Sequence, residues 1–531
     1  MTAQGRRDYS KSDWSLPTCS NRCLPSPERP PQMASESLQR ILSDASQTDA
    51  LNNVRQYIPR HVLDTNVTRE SVKAALKKST AKWKIWPLST KSIVDTVVSN
   101  NLKLVFVILL YLDVPWDVKK FHEAGFTDAD LPMEKMVSKQ GDRLQSGLDS
   151  KKLFAPPKHW NLQAENFVSK QWVMMAPIFG SSGEYQKLHP LCPLPLTQAD
   201  GVIHSARNVV YKAEIQSSHQ RGFEAQTSSL KIAIKEFRHK EDFKQERSNL
   251  SALRTLPNTK HIAQSLAAYS QGNRDYIISP WAEGGDLDNF WQTSHKGVTR
   301  TSKLALWSLD QMLGLANALY ALHEELGDAV NCRHGDLKPG NILHFTVDKE
   351  QGDFGILKIT DFGISRIHQE ATFDRLNKPT ITGATSPSYE APEAVASQAA
   401  RSRKYDIWSI GCIFLEFVIW LAQDWDAVQS FANARKSTSA HAGGAIPSHF
   451  YRIDEDEAVV HPEVFKIIKT LGRIPQSAPN TALGKLLSII KEDLIKINSA
   501  DRTDAKGLCN QLEAIVSKAR SDPVYLWDSR Y

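Results

Sequence analysis

The stretch His334-Gly335-Asp336-Leu337-Lys338-Pro339-Gly340-Asn341-Ile342-Leu343 decides how the rest of this 531-residue chain is read. It sets an acid, a Lys two residues on and an Asn five residues on, a spacing that lets all three face one reacting phosphate. In that role Asp336 orients an attacking hydroxyl and accepts its proton. Lys338 offsets charge on the transferring group, and the amide oxygen of Asn341 binds Mg2+. A second acid follows in Leu357-Lys358-Ile359-Thr360-Asp361-Phe362-Gly363, an apolar strand that ends in a carboxylate. Hard oxygen donors of this kind suit Mg2+, which binds through one or two carboxylates plus substrate phosphates. The string Asp-Phe-Gly also occurs at Asp353, but polar Lys349-Glu350-Gln351-Gly352 precede it. That context predicts a hairpin loop at Asp353 and assigns the metal to Asp361.

Upstream, the grammar is β-rich from about Leu196. Val209–Ala213 and Leu230–Lys235 read as strands around a polar Gln/Ser/Gly-rich loop, and Tyr276-Ile277-Ile278 as a third. Asp242–Leu256 reads as a helix with Phe243, Leu250 and Leu253 partly lining one face. After Gly284-Gly285 the pattern turns helical, and Leu304–His323 carries Leu309, Met312, Ala316 and Leu319 at three- and four-residue steps. Strands around one helix, followed by a helical half, imply two lobes with a cleft between them.

These residues resemble the eukaryotic protein kinase family, in order, over roughly residues 195–520. Ile232-Ala233-Ile234-Lys235 matches the family's strand with the phosphate-binding Lys, and Glu246 sits where helix αC supplies its ion-pair partner. Ser279-Pro280-Trp281-Ala282-Glu283-Gly284-Gly285-Asp286-Leu287 looks like the hinge that receives adenine. Tyr389-Glu390-Ala391-Pro392-Glu393 closes the activation segment, and Asp406-Ile407-Trp408-Ser409-Ile410-Gly411 opens the buried helix αF. Arg502 is placed to pair with Glu393. The resemblance implies an α+β, bilobal protein-kinase-like fold: a small β-rich lobe and a larger helical lobe, preceded by a helical N-terminal region. It implies ATP at Lys235, Glu246, Ala233, Val210, Ser279, Trp281 and Ala282, catalysis by Asp336, Lys338 and Asn341, and Mg2+ on Asn341 and Asp361. The implied reaction moves the γ-phosphate of ATP to protein hydroxyls. Lys338 and Ser386 match serine/threonine members, while Arg333-His334-Gly335-Asp336 and Arg401–Asp406 look like kinase-like proteins of filamentous fungi.

The chain also departs from the pattern. Counted back from Val210, the three positions of the glycine-rich loop fall on Ile203, Ser205 and Asn208, with Gly201 two residues before the first. Glycine there lets backbone N–H groups approach phosphates closely. Its loss supports the alternative of a pseudokinase acting as scaffold or switch, whereas the presence of Lys235, Glu246, Asp336, Lys338, Asn341 and Asp361 supports catalysis. Pro280 has no N–H, so adenine recognition is expected from backbone groups of Trp281 and Ala282. Ser279 at the back of the pocket predicts a deep one. Gly335 stands where many regulated kinases place an Arg.

Composition bounds the remainder. With 65 Lys+Arg against 59 Asp+Glu the formal charge is +6, and 41% of residues are hydrophobic, ordinary globular values that point to no nucleic-acid partner. Six cysteines make no disulfide scaffold; Cys19 and Cys23 lack a second pair that would complete a metal knuckle. The apolar runs Leu102–Leu112 and Ile407–Leu421 read as buried core helices, so no membrane span and an intracellular protein are expected. Residues 1–35 read as a disordered tail, 36–160 as a helical region, 161–195 as a linker, 196–520 as the kinase domain and 521–531 as a tail. The basic stretch Arg69–Lys84, with Lys73, Lys77 and Lys78, reads as a solvated helix face. The N-terminal helices are expected to make a partner or autoregulatory contact.

Overall fold

The computed structural model describes residues 37–527, apart from 84–89, 139–140, 161, 206–207, 223–229, 258–259, 295–299, 327–331, 347–353, 364–386, 397–401 and 437–447. The tail 1–35 with Cys19 and Cys23, Asp353, and residues 364–386 of the activation segment, Ser386 included, therefore lie outside the described residues.

The N-terminal region opens with helices Leu38–Asp44, Arg60–Asn66, Arg69–Trp83, Thr90–Ser99, Lys103–Tyr111 and Val118–Glu123. Lys103–Tyr111 is apolar all round and buried from Val105 to Leu110, the expected signature of a core helix. It shares a core with Leu42, Val72, Val97, Phe121 and Trp160. Lys73, Lys77 and Lys78 are exposed along Arg69–Trp83, in keeping with a solvated face. The region is not helical throughout: Met133–Ser138, Gly141–Ser146 and Leu153–Phe154 form a three-stranded antiparallel sheet. These strands bury little besides Met133, Leu144 and Phe154, so their apolar pattern was too thin to show in sequence.

Residues 161–195, expected as a linker, are structured as well. They carry the helix Gln163–Lys170 and the strand Tyr185–Leu188, which pairs in parallel with Ala267–Gln271. That strand becomes the edge of a six-stranded sheet, ordered Tyr185–Leu188, Ala267–Gln271, Arg274–Pro280, Leu230–Phe237, Asn208–Ile215, Leu196–His204. All its other neighbours are antiparallel. A four-residue strand of Tyr-Gln-Lys-Leu has no periodicity of its own; its pairing depends on an open backbone edge 83 residues away, at Ala268 for Tyr185.

Register decides what this sheet presents. Lys235 lies opposite both Val210 and Ile277, and Ala233 opposite both Lys212 and Ser279. Directly opposed residues share a face and alternate residues return to it. Val210, Lys212, Ala233, Lys235 and Ser279 thus line one face, while Ile232, Ile234, Ala213 and Ile278 fill the core on the other. The helix Lys240–Leu253 packs beside the first face through Phe243, Leu250 and Leu253.

The helical half is built on Ser302–Glu324 and Lys404–Ala422. Among the described residues only the latter is long and apolar enough to cross a membrane, and it is buried from Tyr405 to Leu421 within this core. Near the chain's end, the short helix Pro523–Leu526 buries Tyr525 and Leu526 in the same core, so the described part of 521–531 is packed rather than loose.

Arg502 locks the lower part of the fold. Its guanidinium reaches both oxygens of Glu393 at 2.7 and 2.8 Å and the carbonyls of Lys404, Lys496 and Ile497. Removing one partner of a buried pair leaves the other charge unpaired. Arg502→Met is therefore expected to lower unfolding stability by about 3 kcal/mol, read from the denaturant midpoint at unchanged m-value; a loss near zero would show that the pair is dispensable.

Candidate active site

Three backbone and side-chain clamps build the loop around Asp336. The carboxylate of Asp406, fully buried, accepts the N–H of His334 (2.8 Å), the N–H of Gly335 (2.9 Å) and His323 Nε2 (2.9 Å). Burial alone would raise its pKa; these hydrogen bonds, His323 foremost, hold it below the ordinary carboxylate value. The His334 ring accepts the Asp336 N–H at Nδ1 (3.3 Å), so Nε2 carries the proton and donates to the Thr360 carbonyl (2.9 Å). Phe362 packs edge-on against that ring. Gly335 takes φ +84°, a left-handed conformation that a side chain would strain.

So held, Asp336 is buried, with Oδ2 receiving Lys338 Nζ at 2.9 Å and Asn341 Nδ2 at 3.2 Å. Asn341 Nδ2 also donates to the Asp336 carbonyl at 2.8 Å. With its NH2 committed there, the amide oxygen of Asn341 is the atom left for a cation. The hairpin Ile342–Phe345 and Ile356–Ile359 pairs Ile342 with Ile359, and the Thr360 N–H bonds the Asn341 carbonyl at 2.9 Å. This register brings Asn341 beside Asp361. Hard oxygens from the two fit a divalent cation completed by water and phosphate oxygens.

Asp361, at φ +63°, turns its carboxylate onto Lys235: Oδ1 is 2.9 Å from Nζ. Lys235 also bonds Glu246 Oε2 at 2.7 Å and Oε1 at 3.0 Å. The Lys235 ammonium outweighs burial and holds the Asp361 carboxyl at about 2. Burial works against the Lys235 charge, but Asp361 and Glu246 together raise its pKa. The ammonium is thus a permanent cation in the cleft, poised for an anionic ligand.

Two contributors escaped the sequence reading. Asn249, one helical turn beyond Glu246 and buried, donates to the Phe362 carbonyl at 2.7 Å and ties the helix to the Asp361 turn. His323 braces Asp406 across 83 residues. The i, i+3 step from Glu246 was the only hint of the first; nothing local marks the second.

Phe354 and Gly355 of the other Asp-Phe-Gly string sit in the connection between the two hairpin strands, and the Gly355 carbonyl accepts from Trp307 Nε1 at 2.7 Å.

At the stretch expected to receive adenine, the Trp281 N–H is spent on the Lys231 carbonyl at 3.3 Å, and its ring lies under Lys212 Nζ at 5.1 Å, so this backbone N–H is not left for a base. The pairing of Arg274–Pro280 with Leu230–Phe237, continued one residue past Pro280, takes it. Ala282 accepts from the Gly285 N–H at 3.1 Å, while its own N–H makes no backbone hydrogen bond among the described residues. Ser279 and Ala233 face each other on the cleft side of the sheet.

Leu196–His204 and Asn208–Ile215 pair antiparallel, and Ser205 and Asn208 bond each other beyond their ends. Ser205 N–H bonds the Asn208 carbonyl and the Asn208 N–H bonds Ser205 Oγ, both at 2.9 Å. A bulge falls between Gly201 and Ile203. The N–H groups of Ser205 and Asn208 are thus already satisfied.

A cation–carboxylate pair under a strand hairpin, an acid–Lys–Asn loop and a carboxylate-ended strand define a phosphotransfer cleft of the protein kinase kind. Residues 219–459, just under half of the chain, match the family model described as protein kinase domain. Over 156 residues the chain is 33% identical to the rat serine/threonine-protein kinase ULK3, covering 29% of this chain and 28% of that protein. It is 28% identical over 214 residues to the cAMP-dependent protein kinase catalytic subunit of Arthrobotrys oligospora, covering 40% and 35%. Against serine/threonine-protein kinase 12 of Arabidopsis thaliana it is 29% identical over 193 residues, covering 36% and 38%. The chain thus spans between about a quarter and two fifths of the length of these relatives, and it carries a protein kinase domain of mixed α/β content.

Proposed function

We propose that this chain is an ATP-dependent serine/threonine protein kinase with a bilobal catalytic domain, transferring the γ-phosphate of ATP to protein hydroxyls. The observation that carries this reading is the joint presence of the Lys235–Glu246 pair, Asp361 and the Asp336–Lys338–Asn341 loop in one cleft. Mg2+ held by Asp361 and Asn341 would neutralise phosphate charge. Around it, Asp336 orients the substrate hydroxyl and takes its proton, Lys338 stabilises the transferring phosphoryl group, and Lys235 anchors the nucleotide phosphates. The filamentous-fungal likeness rests on the Arg333–Asp336 and Arg401–Asp406 stretches. Phosphorylation of protein substrates by the purified chain with ATP and Mg2+, beside Asp336→Asn, tests the reading; equal incorporation by both ends it.

The self-satisfied Ser205–Asn208 pair favours a second reading, a pseudokinase scaffold or switch with weak nucleotide binding. A melting shift with ATP in the absence of phosphotransfer would select it.

Gly335 leads to a further expectation. Lacking a guanidinium, it cannot receive an activation-segment phosphate by the charge-assisted pairing Arg favours. Phosphatase-treated protein, and a variant with Thr372, Thr380, Thr382 and Thr385 all replaced by Ala, are expected to keep most of their activity. A loss of about a hundredfold in both would make that segment the switch.

A further inference from the structure

The segment Ser181–Leu188 touches two things at once: the open edge of the sheet and the outer side of the helix that carries Glu246. On the sheet side Gly183 N–H bonds the Leu266 carbonyl (2.9 Å), and the Ala268 N–H bonds the Glu184 carbonyl (3.0 Å). Tyr185 to Leu188 then pair with Ala268 to Gln271. On the helix side the Tyr185 ring lies 4.3 Å from the Arg247 guanidinium and 6.1 Å from the Phe243 ring. Arg254, two turns after Arg247, donates to the carbonyls of Ser181 and Ser265. A segment offering carbonyls and an aromatic face therefore meets the helix side that bears Arg247 and, at its C-cap, Arg254.

An open cavity of about 590 Å3, lined by Gly183, Tyr185, Arg247, Leu250, Arg254 and Ala268, runs along this seam, so the segment meets the helix through Tyr185 and Arg254 rather than by continuous packing. The chain flanking the segment is tied down before and after it. Ile58 N–H bonds the Val173 carbonyl, and buried Asp49 accepts the Leu194 N–H at 3.0 Å. Gln271 Nε2 reaches the Cys192 carbonyl at 2.7 Å.

We propose that Ser181–Leu188 is a built-in brace for the helix Lys240–Leu253, with Tyr185 and Arg254 as positioning residues that keep Glu246 on Lys235. The N-terminal region thereby holds the kinase domain in its catalytically competent arrangement rather than blocking it. This rests on the kinase reading above.

The test uses the full chain with Tyr185→Ala and Tyr185→Phe, read by amide hydrogen exchange across Phe243–Leu250 and by kcat and KM for ATP. Tyr185→Ala is expected to speed exchange in that helix about tenfold, with Lys103–Tyr111 unchanged. It is also expected to lower kcat/KM for ATP about tenfold, mainly through KM, while Tyr185→Phe, which keeps the ring, stays near wild type. Should Tyr185→Ala fail to fold, Arg247→Gln removes the same stacking from the helix side and carries the same expectation. Unchanged exchange in the folded variant overturns the brace. Exchange answers this even in a chain without phosphotransfer, so an inactive wild type would sink the kinase reading alone.

Discussion

Asp336→Asn is expected to lower turnover by about 10²–10⁴ while leaving ATP affinity within a few fold. The substitution is nearly isosteric, and Asn retains an oxygen for Lys338 Nζ, now 2.9 Å from Asp336 Oδ2. What it loses is the ability to take the hydroxyl proton as the phosphorus–oxygen bond forms. The nucleotide anchor, Lys235 with Glu246 and Asp361, is built on other elements and stays in place. Steady-state phosphorylation together with the ATP-induced melting shift reads both quantities. Turnover within tenfold of wild type would remove Asp336 from its role. Lys235→Met makes the opposite contrast. It leaves the Glu246 and Asp361 carboxylates facing each other without their shared cation, so nucleotide affinity falls first.

Asp361→Ala is expected to bring activity below about a thousandth of wild type, whereas Asp353→Ala stays within about threefold. The two acids head identical strings, but their surroundings differ. Asp361 follows the strand Ile356–Ile359, shares Lys235 with Glu246, and stands next to Asn341 through the Thr360–Asn341 hydrogen bond. The other string's Phe354 and Gly355 belong to the connection before that strand, packed on Trp307. Losing Asp361 removes a cation ligand and one of the two carboxylates that hold Lys235; losing Asp353 removes neither. Phosphorylation assays at saturating ATP and varied Mg2+ separate the cases, and the reverse ranking would overturn the assignment of this region.

Much of the cleft was legible because its chemistry is local. Asp336, Lys338 and Asn341 lie within six residues, and one turn of chain is enough to set them around a phosphate. The Lys235 strand and the Glu246 helix were readable from apolar patterning, and the glutamate pairing followed from the resemblance. The Arg502–Glu393 pair was foreseen across 109 residues on the same ground. The failures share one cause. Trp281 was expected to offer its backbone to adenine, but whether an N–H is free depends on where the neighbouring strand ends, and Lys231 claims it. Residues 161–195 looked like a linker because a short polar strand exists only when another strand's edge is available to it.

By itself, the sequence determined the order of the phosphotransfer motifs, the residue types that carry the chemistry, the absence of glycine at the phosphate loop and the apolar helices of both cores. Tertiary structure alone decided the rest. It showed that Asp406, His323 and the Gly335 backbone meet to aim Asp336, and that Asn249 ties the Glu246 helix to Phe362. It also showed Tyr185 joining the sheet edge and resting on Arg247. The physical reason is one of range. Side-chain chemistry and hydrophobic periodicity are written within a few residues, whereas a buried hydrogen bond or a strand pairing is chosen by which backbone groups the folded chain leaves unsatisfied.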